Sequence, residues 1–276
     1  MAFVFLSEVV LFFLTIALGI FCAFKIQKVF ILQESKIPTT SFFQFIFYFF
    51  LATVFLFVIF RFVKKRKIKE QIYTLIFGFV SFIGAIVFFS SFLSSLAPLI
   101  LVALITFWWI KKPTILNHNL LMIFSLAGIG ANLGLTLKPR AVIFILIALS
   151  IYDFIAVYKT KHMVKIAKEM VESGTFFGLI SPFNLFDFLT STKEVATKKE
   201  KFLILGGGDV ALPLLFSVSM LEFGISKSFL VALFSLFGLI ANFLVFIKQK
   251  ERKPIPALPL ISLFSIIGYF FVLILT

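Results

Sequence analysis

Long apolar runs separated by short polar ones set the rhythm of this chain. Runs of about 20 residues, the length that crosses a bilayer as a helix, fall at 3–24, 41–63, 71–91, 94–110, 115–136, 140–158, 202–220, 228–247 and 256–275. They predict an all-α polytopic membrane protein with nine transmembrane helices. The division between the third and fourth runs is the weakest, since "FFSSFLSSLAPLI" offers only serines and Pro98 as a turn. Fusing those two would leave eight.

The longest polar interruption is 159–201. Its first part, "KTKHMVKIAKEMVES", sets Met163, Ile166 and Met170 at i, i+3 and i+7 among lysines, which predicts a basic amphipathic helix on the inner leaflet. His162 then reads as an interfacial residue, not a catalyst. The following "TFFGLISPFNLFDFL" is apolar but short, and Gly178, Pro182, Asn184 and Asp187 break it. It reads as a re-entrant or interfacial piece rather than a tenth span. The chain thus divides into a six-helix part (1–158), a cytoplasmic loop (159–201) and a three-helix part (202–276).

Composition strengthens the membrane reading. Hydrophobic residues make up 61% of the chain and charged residues 14%, with 43 phenylalanines in 276 positions, where soluble domains run near about 25% charged. The net charge of +14 lies almost wholly in short loops, so it sets topology and touches anionic lipid rather than nucleic acid. With the N-terminus inside, twenty of the 26 basic residues fall in inner loops, among them Lys64, Lys65, Lys161, Lys198, Lys199, Lys250, Arg252 and Lys253. That asymmetry predicts a cytoplasmic N-terminus and an external C-terminus, although the first run has no positive charge before it and three after it. Lacking a basic start and an A-x-A-like cleavage site, that first run reads as a retained anchor. One cysteine, Cys22, and two histidines, His118 and His162, cannot assemble an ordinary Cys/His zinc site, and no cofactor or metal is expected.

Acids inside such runs carry the functional signal, because each costs at least a few kcal/mol to hold in hydrocarbon. Asp153 closes "AVIFILIALSIYDFIAVY", and Asp209 follows the glycines of "FLILGGGDVALPLL". Asp153 lies six residues before Lys159, roughly 9 Å below the inner boundary, and Asp209 eight residues past Lys201, roughly 12 Å deep, at about 1.5 Å per residue. The two carboxylates therefore share a layer. At close range they cannot both ionise easily, so the pair holds a shared proton. This suits aspartic proteolysis, in which one carboxylate takes a proton from the attacking water while the other protonates the scissile carbonyl oxygen.

A peptide bond inside a transmembrane helix is shielded by its own hydrogen bonds, so hydrolysis there requires unwinding and new backbone partners. Gly206 and Gly208 are expected to loosen the seventh span and admit a second backbone. "KPIPALPLI" opens the ninth span, where Pro256, Ala257, Leu258 and Pro259 predict a short extended strip in the same layer. The glycines of "GANLG" at 130–134 read instead as close helix packing.

Taken together, "YD" at Tyr152–Asp153 with "VYKTKHM" downstream, "GGGD" at Gly206–Asp209 with Pro213 following, and "PAL" at Pro256–Leu258 resemble the GxGD intramembrane aspartyl proteases. This is the family of presenilin and signal peptide peptidase. The resemblance covers about the last 140 residues, while the first 130 carry no comparable motif. It implies a presenilin-like fold, with Asp153 and Asp209 as catalytic pair. Tyr152, Gly206, Gly208, Pro256, Ala257 and Leu258 would shape the site and engage substrate. It also implies substrates that are transmembrane-helix proteins of the bilayer. The predicted orientation looks like that of presenilin and opposite to that of signal peptide peptidase, which implies substrates with external N-termini. Without a hydrophilic N-terminal tail or a long acidic loop, the chain looks like a compact microbial homologue that requires no accessory subunit. Gly207 at the x position is smaller than the family's usual apolar residue.

Four other readings compete, one of them a non-catalytic helix-binding protein, in which binding would survive replacement of either aspartate. Type IV prepilin peptidases carry a GxGD aspartate, but a lysine-bearing pattern follows theirs, where "VALP" follows Asp209 here. Serine chemistry fails because both histidines fall in predicted loops, away from a serine partner. A proton-coupled transporter using the two aspartates as a relay would be favoured by internal repeats, which the halves do not show.

Overall fold

The computed structural model describes residues 1–63, 66–160, 162–197, 201–249 and 254–275. Among them, ten α-helices and one two-stranded sheet form the fold. In chain order they are α1 (Ala2–Leu32), α2 (Phe42–Phe62), α3 (Arg66–Ser90), α4 (Ala97–Lys111), α5 (Ile115–Thr136), α6 (Pro139–Phe154), α7 (His162–Ser173), β1 (Gly178–Pro182), β2 (Phe202–Gly206), α8 (Gly207–Ser219), α9 (Ile225–Lys248) and α10 (Leu258–Ile274). By length and apolarity, five helices qualify as spans: α1, α3 from Lys67, α5, α6 extended to Lys159, and α9; α4, α10 and Phe42–Phe55 of α2 are apolar but shorter. Phe43, Phe47, Phe50, Phe55 and Leu75 are exposed on the outer faces. That is the surface of a protein solvated by acyl chains.

The third and fourth runs do not fuse, because α3 stops at Ser90 and a turn containing Ser95 with φ 60° precedes α4. The departure from an all-α architecture lies in the seventh run. Its first five residues form β2, which pairs antiparallel with β1 in the register Gly178↔Gly206 to Pro182↔Phe202. The apolar piece after α7 is therefore not only interfacial: it supplies a strand. Gly178 permits this, since a Cβ there would collide with the Leu205 carbonyl. As a helix, α8 has 13 residues and reaches about 20 Å, but the five residues of β2 bring the pair to roughly 36 Å.

At the centre stands α5, packed on α1, α3 and α8. Its small residues make the close crossings, as predicted for "GANLG". A Cβ on Gly134 would lie 2.6 Å from the Val218 side chain, and one on Gly130 would meet Leu214. The first turn of α5 also holds the sheet. Asn119 donates from Nδ2 to the Ile180 carbonyl (2.7 Å) and accepts from the Ile180 N–H at Oδ1 (2.9 Å), and His118 Nε2 lies 3.1 Å from the Gly178 oxygen. The outer edge of β1 is thus closed by helix side chains.

His118 accordingly corrects a sequence expectation. It sits in α5, not in a loop, fully buried and stacked on Phe77 at 4.7 Å. Its role is to fasten the strand. α7 forms where the amphipathic pattern predicts it, and Lys69 of α3 pairs with Glu169 at 3.5 Å. The side chains of His162, Met163 and Ile166 lie outside the described set, as do Lys64, Lys65, Lys161, Lys198, Lys199, Lys250, Arg252, Lys253 and Thr276.

Candidate active site

Asp209 occupies the first turn of α8, immediately after the strand-to-helix junction. The glycines before it divide the labour of that junction. Gly206 ends β2, and a Cβ there would stand 2.8 Å from Asp209 Oδ2. Gly207 donates its N–H to the Phe177 carbonyl at 2.7 Å, and a Cβ on it would lie 2.9 Å from that same oxygen and 3.0 Å from Met122 Cε. At Gly208 nothing lies within 4 Å, because the position opens on a cavity. The sequence expectation was a loosened helix; the chain instead changes secondary structure there. Pro213 adds a second effect four residues on. It has no N–H to return to the Asp209 carbonyl, so that turn of α8 lacks one bond.

Asp153 lies in the last turn of α6, which continues as a π-helical turn over Ile155–Lys159. Such turns depart from regular helix geometry and occur often at functional sites. One carboxylate oxygen, Oδ2, is buried and has no hydrogen-bond partner among the described residues. The backbone N–H of Leu258 faces this carboxylate.

Asp153 and Asp209 line one cavity of about 300 Å³. Tyr152 and Leu149 of α6, Gly208, Ala211, Leu212 and Leu215 of α8, and Leu258 of α10 form its walls near the acids. Phe45 and Phe49 of α2 and Ile129, Gly130 and Leu133 of α5 complete it. Apart from the two acids and the Tyr152 hydroxyl, these side chains are apolar. Both acids therefore border one apolar, weakly screening space.

The PAL strip lies against the dyad. Residues 254–257 run without regular structure, but the expected extended strip is not formed through Pro259. Ala257 caps α10 with helical dihedrals (φ −84°, ψ −33°), and Leu258 and Pro259 open the helix, where the fixed φ of proline fits the first turn. Pro256, Ala257 and Leu258 are all buried. Leu258 lines the apolar cavity. Ala257 instead lines a second cavity of about 200 Å³, together with Pro254, Ile255, Leu203–Leu205 of β2, Phe243 and Phe246. Asp209 borders both cavities. Of the residues singled out from the sequence, Tyr152, Asp153, Gly208, Asp209 and Leu258 share the first cavity. Gly206 shapes the Asp209 turn, and Pro256 and Ala257 hold the strip that parts the two spaces.

Two polar residues of the second cavity were not singled out from the sequence: Glu8 of α1 and Asn242 of α9. Glu8 was legible, as an acid inside "FLSEVVLFF" carries the same intramembrane signal as Asp153. Asn242 was not, because a single amide in an apolar helix is unremarkable until its neighbours are known.

No curated protein sequence matches the chain. Two solved structures, both described as a presenilin family intramembrane aspartate protease, share the fold. The one in a C222 crystal is 20% identical, with a TM-score of 0.67 over 99% of each chain. The one in a P2 crystal is 23% identical, with a TM-score of 0.61 over 96% of this chain and 97% of its own. A family model, signal-peptide peptidase and presenilin aspartyl protease, matches residues 4–276. The chain belongs to that family of membrane-embedded aspartic proteases.

Proposed function

We propose that the chain is an endopeptidase that hydrolyses peptide bonds within transmembrane helices, with Asp153 and Asp209 as its catalytic pair. The observation that carries this reading is the shared apolar cavity, in which two acids from different helices face one space with no competing cation among its lining residues. One carboxylate removes a proton from water as its oxygen attacks the scissile carbonyl carbon, and the protonated partner gives its proton to the carbonyl oxygen. The tetrahedral diol then collapses. One hydroxyl returns its proton to a carboxylate, the amide nitrogen takes the other proton, and the C–N bond breaks to an acid and an amine. No covalent intermediate is required.

Substrate backbone must be unwound to reach the acids, and the edge of β2 is the partner we assign to it. Asn119 engages Ile180 on the outer side of β1, so Ile180 and Ile204 form a pair whose backbone groups point away from each other. The N–H and C=O of Ile204 therefore face outward beside Asp209, suited to an added strand. In this reading 1–158 supplies Asp153, 159–201 supplies β1, and 202–276 supplies β2, Asp209 and the PAL strip. The N-terminus lies in the cytoplasm and the C-terminus outside, substrates enter with external N-termini, and no accessory subunit is needed.

Asp153→Asn and Asp209→Asn test the assignment in detergent-purified protein incubated with a transmembrane peptide. Each should lower cleavage at least about 100-fold while leaving the melting temperature near that of the wild type, since removing a buried charge relieves the fold. Full cleavage by either variant would refute the pair.

A further inference from the structure

The second cavity beside Asp209 has an unusual balance of polar groups. Glu8 is only 5% exposed although it sits in the second turn of an apolar helix, and its Oε2 has no hydrogen-bond partner among the described residues. Asn242, reaching the same space from α9, leaves its Oδ1 unpartnered as well. These two groups come from helices far apart in the chain, and both present acceptors that no donor among the described residues answers. Leaving such groups unsatisfied costs about 1–3 kcal/mol each, more for a carboxylate, so the arrangement implies a guest that brings donors. Phe243 and Phe246 add aromatic faces, which favour a cation over a neutral donor. The space, about 200 Å³, is of a size to take one long side chain.

We propose that this cavity is a specificity pocket for a lysine or arginine side chain of the substrate, next to the bond being cut, with Glu8 as its charge partner and Asn242 as a second acceptor. The inference rests on the protease reading above. Geometry connects the two: the pocket is walled by Leu203–Leu205 of β2 and reaches Asp209 itself. A strand laid along β2 sends alternate side chains to opposite faces, so one residue near the scissile bond enters this pocket while its neighbours meet the apolar cavity. Transmembrane helices carry lysine and arginine at their cytoplasmic flank. An acidic pocket at the edge of an apolar site reads that flank and fixes the register of cleavage. Glu8 acts here as a specificity-determining residue and takes no part in the proton transfers.

Paired transmembrane peptides test this, identical except for lysine, leucine or glutamate at each position within four residues of the cut. Wild-type protein should cleave the best lysine peptide about tenfold faster in kcat/KM than the leucine peptide, with glutamate slowest. Glu8→Gln, which keeps shape and removes charge, should bring the lysine-to-leucine ratio to within about twofold. Asn242→Leu, on a different helix, should narrow the same ratio and guards against a folding defect peculiar to α1. A ratio unchanged in both variants, or no lysine preference at any position in the wild type, would overturn the pocket while leaving the protease standing. Cleavage of none of the peptides by the wild type would overturn the protease reading and this inference with it.

Discussion

Adjacent glycines at the strand-to-helix junction should respond to substitution in opposite ways. At Gly207 an added Cβ meets the Phe177 oxygen at 2.9 Å and Met122 Cε at 3.0 Å, and the methionine end can move while the backbone oxygen cannot. The Gly207 N–H bond to that oxygen, 2.7 Å long, must stretch to make room. Overpacking costs about 1–3 kcal/mol and a weakened hydrogen bond about 1. Gly207→Ala should therefore lower stability by about 2–4 kcal/mol, read as a drop of roughly 5–15 °C in melting temperature. At Gly208 the new side chain finds nothing within 4 Å. Gly208→Val should keep or slightly raise stability, since leaving glycine in a helix gains a few tenths of a kcal/mol or about 0.5. Its branched side chain nevertheless projects into the cavity that holds both aspartates, where an unwound substrate has to lie. We expect cleavage to fall tenfold or more, which corresponds to about 1.4 kcal/mol of lost transition-state stabilisation. Melting in detergent and cleavage of a transmembrane peptide are measured on the same preparations. Turnover by Gly208→Val within twofold of wild type would show that the dyad works without backbone access at this position. An unchanged melt for Gly207→Ala would show that the junction is looser than its contacts imply.

The PAL strip and the central helix give further tests. Leu258→Gly removes a buried side chain from the apolar cavity and loosens the backbone at the start of α10, so both cleavage and stability should fall, the latter by about 2–5 kcal/mol. Unchanged cleavage would remove the strip from the substrate path. Gly134→Ala puts a Cβ 2.6 Å from Val218 and 2.8 Å from the Leu215 oxygen, and should lower stability, read in the melting temperature, by an overpacking cost of about 1–3 kcal/mol. For topology, Lys193→Cys should resist an external thiol reagent in intact cells and Leu275→Cys should react, against a background in which Cys22 is fully buried. Labelling of Lys193→Cys from outside would invert the proposed substrate orientation.

The legible part of the molecule was whatever rests on local periodicity or on the cost of placing a group in lipid. Helices α1 to α6, α9 and α10 lie close to the runs that predicted them, because a stretch of about 20 apolar residues has few other ways to satisfy its backbone in a membrane. Asp153 and Asp209 were legible for the same reason, and so was their meeting, since depth follows from residue counts on consecutive spans. The sheet was not legible. "GLISP" and "FLILG" are short apolar segments of the kind periodicity cannot sort between strand and helix. Their pairing also depends on Asn119 and His118, which sit about 60 residues before β1 and look in sequence like ordinary polar residues at a helix start. Glu8 lay in plain view by the lipid-cost argument, but no motif surrounds it. Only the fold brings α1 beside α8 and α9 and so gives it a neighbour.

A protease for helices must hold an extended backbone at membrane depth, where every unpaired N–H and C=O costs several kcal/mol. On the proposed reading, the chain meets that demand in itself before meeting it for a substrate. Residues 202–206 lie at the start of a run long enough to continue as helix, yet they are drawn out as a strand, paired on one side by β1, whose far side is sealed by Asn119 and His118. Sealing matters because a second open edge would compete for the same guest. Among the described residues, what remains open is the outer side of β2 at Ile204, next to Asp209 and the second cavity. The glycine run then turns strand into helix within three residues, so that the acid hangs at the point where the backbone edge ends. On the proposed reading, the position of Asp209 after Gly206–Gly208 fixes which substrate bond is cut. The last peptide unit that finds a partner on β2 is carried to the carboxylates, and the residues beyond it keep their helix. Lengthening the junction by one glycine after Gly208 should therefore move the cut by one residue, or abolish it, while leaving strand pairing intact. Mass spectrometry of the products distinguishes those results from an unchanged cleavage site, which would refute the coupling between edge and acid.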